Sequence, residues 1–174
     1  MDTLDKYIKS HGILYENFLI KNPRYLYYID NLKNIPYILN NIKYIKKEYK
    51  YKAYLEVIKR DATDLGYIKE QTPELCMIAV KKDGRALEYV NSQTPEICMA
   101  AVKQNGRALE YVNLQTPEIC QAAVEQNGKA LEYVNSQSPK ICIAAVKQNR
   151  KALKYVNDNI ILDIFNKYMF NISK

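Results

Sequence analysis

The chain reads as an all-α solenoid of short helix-turn-helix repeats, and three observations carry that reading. From Gln71 to Asp158 four segments of 22 residues follow one another without a gap: QTPELCMIAVKKDGRALEYVNS, QTPEICMAAVKQNGRALEYVNL, QTPEICQAAVEQNGKALEYVNS and QSPKICIAAVKQNRKALKYVND. Each contains two stretches of helical character separated by a glycine or its substitute. A unit this short cannot bury its own apolar face, so neighbouring copies must stack side by side around a continuous core.

The elements follow in chain order. Residues 1–9, with Leu4 and Ile8 at helical spacing, suit an N-terminal cap. Residues 10–31 form a first worn unit, because Lys21, Asn22, Pro23, Arg24 and the residues to Asp30 mirror QNGRALEYVN. Residues 32–48 fall short of a full period and are read as an irregular unit, with Ile42, Tyr44 and Ile45 echoing a second helix. Residues 49–70 keep the register, with Ala53, Val57, Ile58, Leu65, Tyr67 and Ile68 at apolar positions, but Tyr51 replaces the proline and Ala62 the glycine. Together 10–70 make a degenerate region ahead of the regular units 71–158.

Within a regular unit the punctuation is direct. Thr94, Pro95 and Glu96 read as N-cap, first helical residue with its fixed φ, and an acid at the positive end of the helix dipole. The helix is expected to stop at Gly106, with Gly84 and Gly128 in register, through a left-handed residue past its last turn. The stretch from Arg107 to Val112 is long enough only for a short α-helix or a 3₁₀ turn. Ile97, Cys98, Ala101 and Val102 recur on one side of the first helix and should be its core stripe. Arg150 stands where three other units have glycine, so the last turn is expected to be remodelled. Beyond it, residues 159–174 carry Ile160, Ile161, Leu162, Ile164, Phe165, Tyr168, Met169 and Phe170 and suit a C-terminal capping helix. With no linker composition anywhere, 1–174 is read as one domain.

The chemistry the sequence argues against is as informative. Cys76, Cys98, Cys120 and Cys142 are one position copied four times. Stacked helices lie roughly 8–10 Å apart, too far for a disulfide, which needs Cα atoms at about 4.4–6.8 Å. A zinc site would need them convergent on one ion. They read as buried small hydrophobes in a reducing compartment. His11 is the sole histidine and sits in a worn unit, the few serines sit at caps or near the last residue, and there is no phosphate-cradling glycine loop. No catalytic, cofactor-binding or metal-binding residue is therefore assigned, and the protein is read as a non-enzyme. There is no long apolar run and no leader, since Asp2 and Asp5 follow Met1, so a soluble, intracellular protein without a membrane partner is expected.

The formal net charge of +7 raises nucleic acid as a partner. Its distribution weakens that idea: the units beginning at Gln71 and Gln93 are neutral, the one at Gln115 is acidic and the one at Gln137 strongly basic. A phosphate backbone is best met by an unbroken basic stripe. Gln104, Gln126 and Gln148, like Asn105, Asn127 and Asn149, do not vary between units and suit turn hydrogen bonds better than base reading. Tyr89, Tyr111, Tyr133 and Tyr155 are read as packing.

What does vary lies on the opposite side of the first helix. Met77, Met99, Gln121 and Ile143 occupy one position and Lys81, Lys103, Glu125 and Lys147 another. These eight residues are the candidate binding surface for an unidentified protein partner, with an electrostatic nucleic-acid binder using the basic ends as the rival. The signature TPEICxAAVKQNGxALEYVN resembles the short helical repeats of the family known as domain of unknown function 4116, strongly over 71–158 and weakly over 10–70. The resemblance implies a helical-repeat fold and a source among giant DNA viruses of amoebae, with bacterial occurrences. It implies no activity and supplies no catalytic residue. A looser similarity to leucine-rich variant repeats, which alternate α- and 3₁₀-helix, favours the shorter second helix.

Overall fold

A computed structural model of the chain describes residues 47–162. The expected N-terminal cap, the unit at 10–31, nearly all of the irregular unit and residues 163–174 of the C-terminal cap lie outside the described residues.

Within them, α-helices alternate with 3₁₀ helices, here labelled η. They are α1 (Lys47–Arg60), η1 (Ala62–Tyr67), α2 (Pro73–Lys82), η2 (Gly84–Tyr89), α3 (Pro95–Gln104), η3 (Gly106–Tyr111), α4 (Pro117–Gln126), η4 (Gly128–Tyr133), α5 (Pro139–Gln148) and η5 (Arg150–Tyr155). Residues 158–162 are again helical, and no strand occurs among the described residues. Each α-helix packs on the next α-helix, each 3₁₀ helix on the next, and each α-helix also on the 3₁₀ helix before it and the one after it in sequence. This is the stacked solenoid the 22-residue period requires.

Each regular α-helix begins as its sequence dictates. Thr72, Thr94, Thr116 and Ser138 are extended, and their hydroxyls accept from the backbone N–H three residues on, at 3.3, 3.4, 3.3 and 3.4 Å. Proline follows at the first helical position, where its missing N–H costs nothing. α1 lacks that stop, because Tyr51 stands in the proline's place, and the helix runs back to Lys47.

The helix ends differ from expectation. Gly84, Gly106 and Gly128 are not in the left-handed region. The chain instead leaves each regular α-helix through one extended residue, such as Asn105 at φ −147° and ψ 108°. Its N–H donates to the Ala101 carbonyl at 2.8 Å, closing the α-helix. Its side-chain Oδ1 accepts from Arg107 N at 3.1 Å, opening η3. One residue thus caps two helices, and no left-handed turn is needed. The glycine is required for space: a Cβ at Gly84, Gly106 or Gly128 would come within 2.5, 2.4 or 2.3 Å of the carbonyl oxygen of Ala101, Ala123 or Ala145 in the following unit. Arg150 accordingly causes no remodelling. Asn149 keeps φ −149° and ψ 109°, and η5 starts at Arg150 as its counterparts start at glycine.

The core stripe falls where spacing put it. Ile97, Cys98, Ala101 and Val102 are buried, together with their equivalents on α2 and α4 and with Ile141, Cys142 and Ala145 on α5. Ala108, Leu109 and Val112 close the core from the 3₁₀ side. In the worn unit Tyr67 is 51% exposed rather than apolar core, and Tyr54, which the spacing did not single out, is buried. Tyr54 occupies the position that is cysteine in every regular unit.

Candidate interaction surface

Two ladders of glutamine amides hold the units in register. Gln104 Oε1 accepts from Gly84 N at 2.6 Å, and its Nε2 donates to the Lys82 carbonyl at 3.3 Å. Gln126 brackets Gly106 N and the Gln104 carbonyl in the same way, at 2.6 and 3.3 Å, and Gln148 brackets Gly128 N and the Gln126 carbonyl at 2.6 and 3.4 Å. Each glutamine reaches back to the preceding unit, and Gln104 and Gln126 are themselves gripped by the next. Fixed geometry at such a position explains why these residues do not vary, but the glutamines bond across to the preceding unit and not within a turn, and the expected turn bonds are made by Asn105, Asn127 and Asn149 alone.

The second ladder was missed. Gln93 Nε2 donates to the Tyr111 carbonyl at 2.8 Å and to the Leu87 carbonyl at 3.4 Å, while its Oε1 accepts from Asn113 N at 3.0 Å. The Cys98 thiol also donates to Oε1, at 3.5 Å. Gln71, Gln115 and Gln137 repeat the arrangement with Cys76, Cys120 and Cys142. The cysteines are free and buried. A thiol, unlike alanine, adds a weak donor to the glutamine oxygen. The signal for this pairing is in the chain: where Tyr54 replaces the cysteine, Tyr49 replaces the glutamine.

With the conserved-looking amides spent on backbone, the outer faces carry what remains. On the α-helices, Lys81, Lys103, Glu125 and Lys147 are exposed and form one row. Met77, Met99, Gln121 and Ile143 form the adjacent row, but they are half-buried. Met77 and Met99 pack against the core cluster, so the solvent position expected for this row is corrected: it lies at the flank of the core stripe. Gln121 Nε2 donates to Glu125 Oε1 at 2.6 Å, tying the two rows together in α4.

The 3₁₀ side carries paired charges among exposed Tyr67, Tyr89 and Leu153. Arg85 forms an ion pair with Asp83 at 2.7 Å, and that guanidinium holds the Asp83 carboxyl below its ordinary range. Arg107 donates to the Tyr133 hydroxyl at 2.9 Å and lies 5.9 Å from the centre of its ring. Lys154 sits 4.5 Å from the Tyr155 ring. Tyr111, Tyr133 and Tyr155 are half-buried against the core, in keeping with a packing role, but Tyr89, read as packing with them, is 38% exposed. An open groove of about 580 Å³ runs between η2 and η3, lined by Lys82, Asp83, Arg85, Arg107, Glu110 and Tyr111 among others. Its charges are of both signs. Among the described residues no helix is long and apolar enough to cross a membrane.

An array of 22-residue α/3₁₀ units, bracketed through its backbone and varied chiefly at the surface and the flank of the core, defines a tandem helical-repeat protein. The chain belongs to the family described as Domain of unknown function (DUF4116), whose profile matches residues 72–116, 94–137 and 117–161 in overlapping succession. No curated protein and no solved structure matches it at a significant level.

Proposed function

We propose that the chain is a non-catalytic scaffold that binds a protein partner along the α-helical face. One contrast supports the reading. Core, caps and both glutamine ladders are copied from unit to unit, while the row Lys81, Lys103, Glu125 and Lys147 changes sign at α4 and the neighbouring row changes from methionine to glutamine to isoleucine. A uniform frame that presents a non-uniform row suits recognition of an extended or helical partner. Methionines at the flank would add an adaptable apolar strip. The reading keeps a reducing intracellular compartment and the viral source that the family resemblance implies.

The test replaces exposed charges only. Full-length chain carrying Lys81→Glu and Lys103→Glu is expected to lose a partner captured by the parent chain while melting at the same temperature, and Arg85→Glu with Lys129→Glu on the 3₁₀ side is expected to retain it. The reverse pattern would move the binding face to the 3₁₀ side. A second reading rests on the terminal unit, where Lys140, Lys147, Arg150, Lys151 and Lys154 are all exposed. If retention on immobilised nucleic acid falls steeply with salt and disappears when these five are neutralised, an electrostatic nucleic-acid binder replaces the scaffold.

A further inference from the structure

The end of the array carries a coupled change at two positions. In each described junction between regular units, a glycine at the start of the 3₁₀ helix faces a glutamine at the end of the next α-helix: Gly84 with Gln104, Gly106 with Gln126, Gly128 with Gln148. The two residues depend on each other. The glutamine oxygen lies only 2.6 Å from the glycine N–H, and an added Cβ would meet that oxygen at 3.1, 2.9 and 2.9 Å in the three junctions, besides the nearer alanine carbonyl. At residue 150 the glycine becomes arginine, and 22 residues beyond Gln148 stands Phe170, which has no amide to offer.

The front of the array shows what a smaller side chain does. Ala62 takes the glycine position there and is buried, with Lys82 on the covering helix in place of glutamine. The ammonium of Lys82 donates to the carbonyls of Ile58, at 3.2 Å, and Lys59. One methyl group is therefore accommodated, at the loss of the glutamine bracket. Arginine is far longer, and it is exposed. Leu153, whose counterparts Leu65, Leu87, Leu109 and Leu131 are fully buried, is 56% exposed on the same end.

We propose that Arg150 terminates the array: its side chain occupies the ground on which a further repeat would stack and so bars the exposed end, Leu153 included, to another unit of this geometry. The residue acts without distorting its own turn, since η5 begins as η2, η3 and η4 do. What it denies is the approach of a further repeat's α-helix. The regular array is thereby closed at this end by one side chain, and an end-on repeat from a second copy is refused on the same ground.

The test inserts one more unit, a copy of residues 115–136, after Asp158 in the full chain, once with Arg150 kept and once with Arg150→Gly. The same copy inserted after Ser136 serves as control that an added unit folds. With Arg150→Gly the insertion is expected to raise the melting temperature by several degrees over Arg150→Gly alone and to slow amide exchange at Ala152 and Leu153. With Arg150 kept, neither should change. Equal stabilisation in both backgrounds would overturn the proposal. So would failure of both while the Ser136 control is stabilised, because the glycine would then not be what admits a neighbour.

Discussion

Gly106 shows how much one missing methyl group decides. Its φ is ordinary, so an alanine there would meet no backbone strain, yet its Cβ would lie 2.4 Å from the Ala123 carbonyl. Gly106→Ala is therefore expected to destabilise the protein by about 1–3 kcal/mol through overpacking, whereas Arg150→Gly should cost at most about 1 kcal/mol, through greater freedom of the unfolded chain. Chemical denaturation of the two variants checks this, and equal losses would mean that conformation rather than space selects the glycine. The cysteines are the other residue-scale case. Burial pushes the thiols of Cys76, Cys98, Cys120 and Cys142 above their ordinary value of 9.0. The folded state then holds these protons to higher pH than the unfolded state, so their contribution is complete below the unfolded-state value and is lost as pH rises through the folded-state values. Stability should fall from about pH 9 upward. Replacing Cys98 and Cys120 by alanine should flatten that alkaline limb. An unchanged slope would exonerate the thiols. Tyr111 is raised as well, chiefly by burial, so the comparison is the difference between parent and variant.

At the scale of the element, a ten-residue α-helix and a six-residue 3₁₀ helix are each too short to persist alone. They hold because both ends are tied: Thr94 and Asn105 cap the two helices locally, and Gln93 fixes the far end of η3 at Tyr111 and Asn113. Packing supplies the rest. Ala101 is fully buried, and its carbonyl faces Gly84. Ala101→Leu is expected to cost about 1–3 kcal/mol, while Lys103→Ala, two residues on and exposed, should change stability by less than about 0.5 kcal/mol. Thermal melts decide it, and comparable losses would mean that the two faces of α3 have been exchanged.

For the whole molecule, contacts run between neighbouring units, so stability should be a sum of unit and nearest-interface terms. Excising residues 93–114 joins Ser92 to Gln115 in register, restoring a Gly84–Gln126 pair where Gly84–Gln104 stood. The shortened chain is expected to fold cooperatively with unchanged helicity per residue and a lower melting temperature. Loss of the helical circular dichroism signal would show that the array depends on contacts beyond its neighbours. The same additivity lets a partner be met by a row of side chains: Lys81, Lys103, Glu125 and Lys147 can change without disturbing the frame, because none of them is buried.

Periodicity, caps and core stripe were legible in the sequence because they are local or repeated: Thr94 and Pro95 act within their own turn, and Ile97, Cys98, Ala101 and Val102 advertise one face by spacing alone. The 22-residue period made stacking unavoidable, since no single unit can bury its apolar side. What only the tertiary structure decided depends on residues that meet far apart in the sequence. The glycine looked like a left-handed stop until the Ala123 carbonyl was seen above Gly106. Gln93 carried no signal in its own turn, and only the structure joins it to Tyr111 and Asn113 at the far end of its unit and to Leu87 in the preceding one. Met77 and Met99 looked solvated until they were placed at the core's edge. A repeat reveals that neighbours touch, but the distance of closest approach is set by the stacked backbones, and that distance decides which positions must be glycine, which must carry an amide, and which are left free to vary.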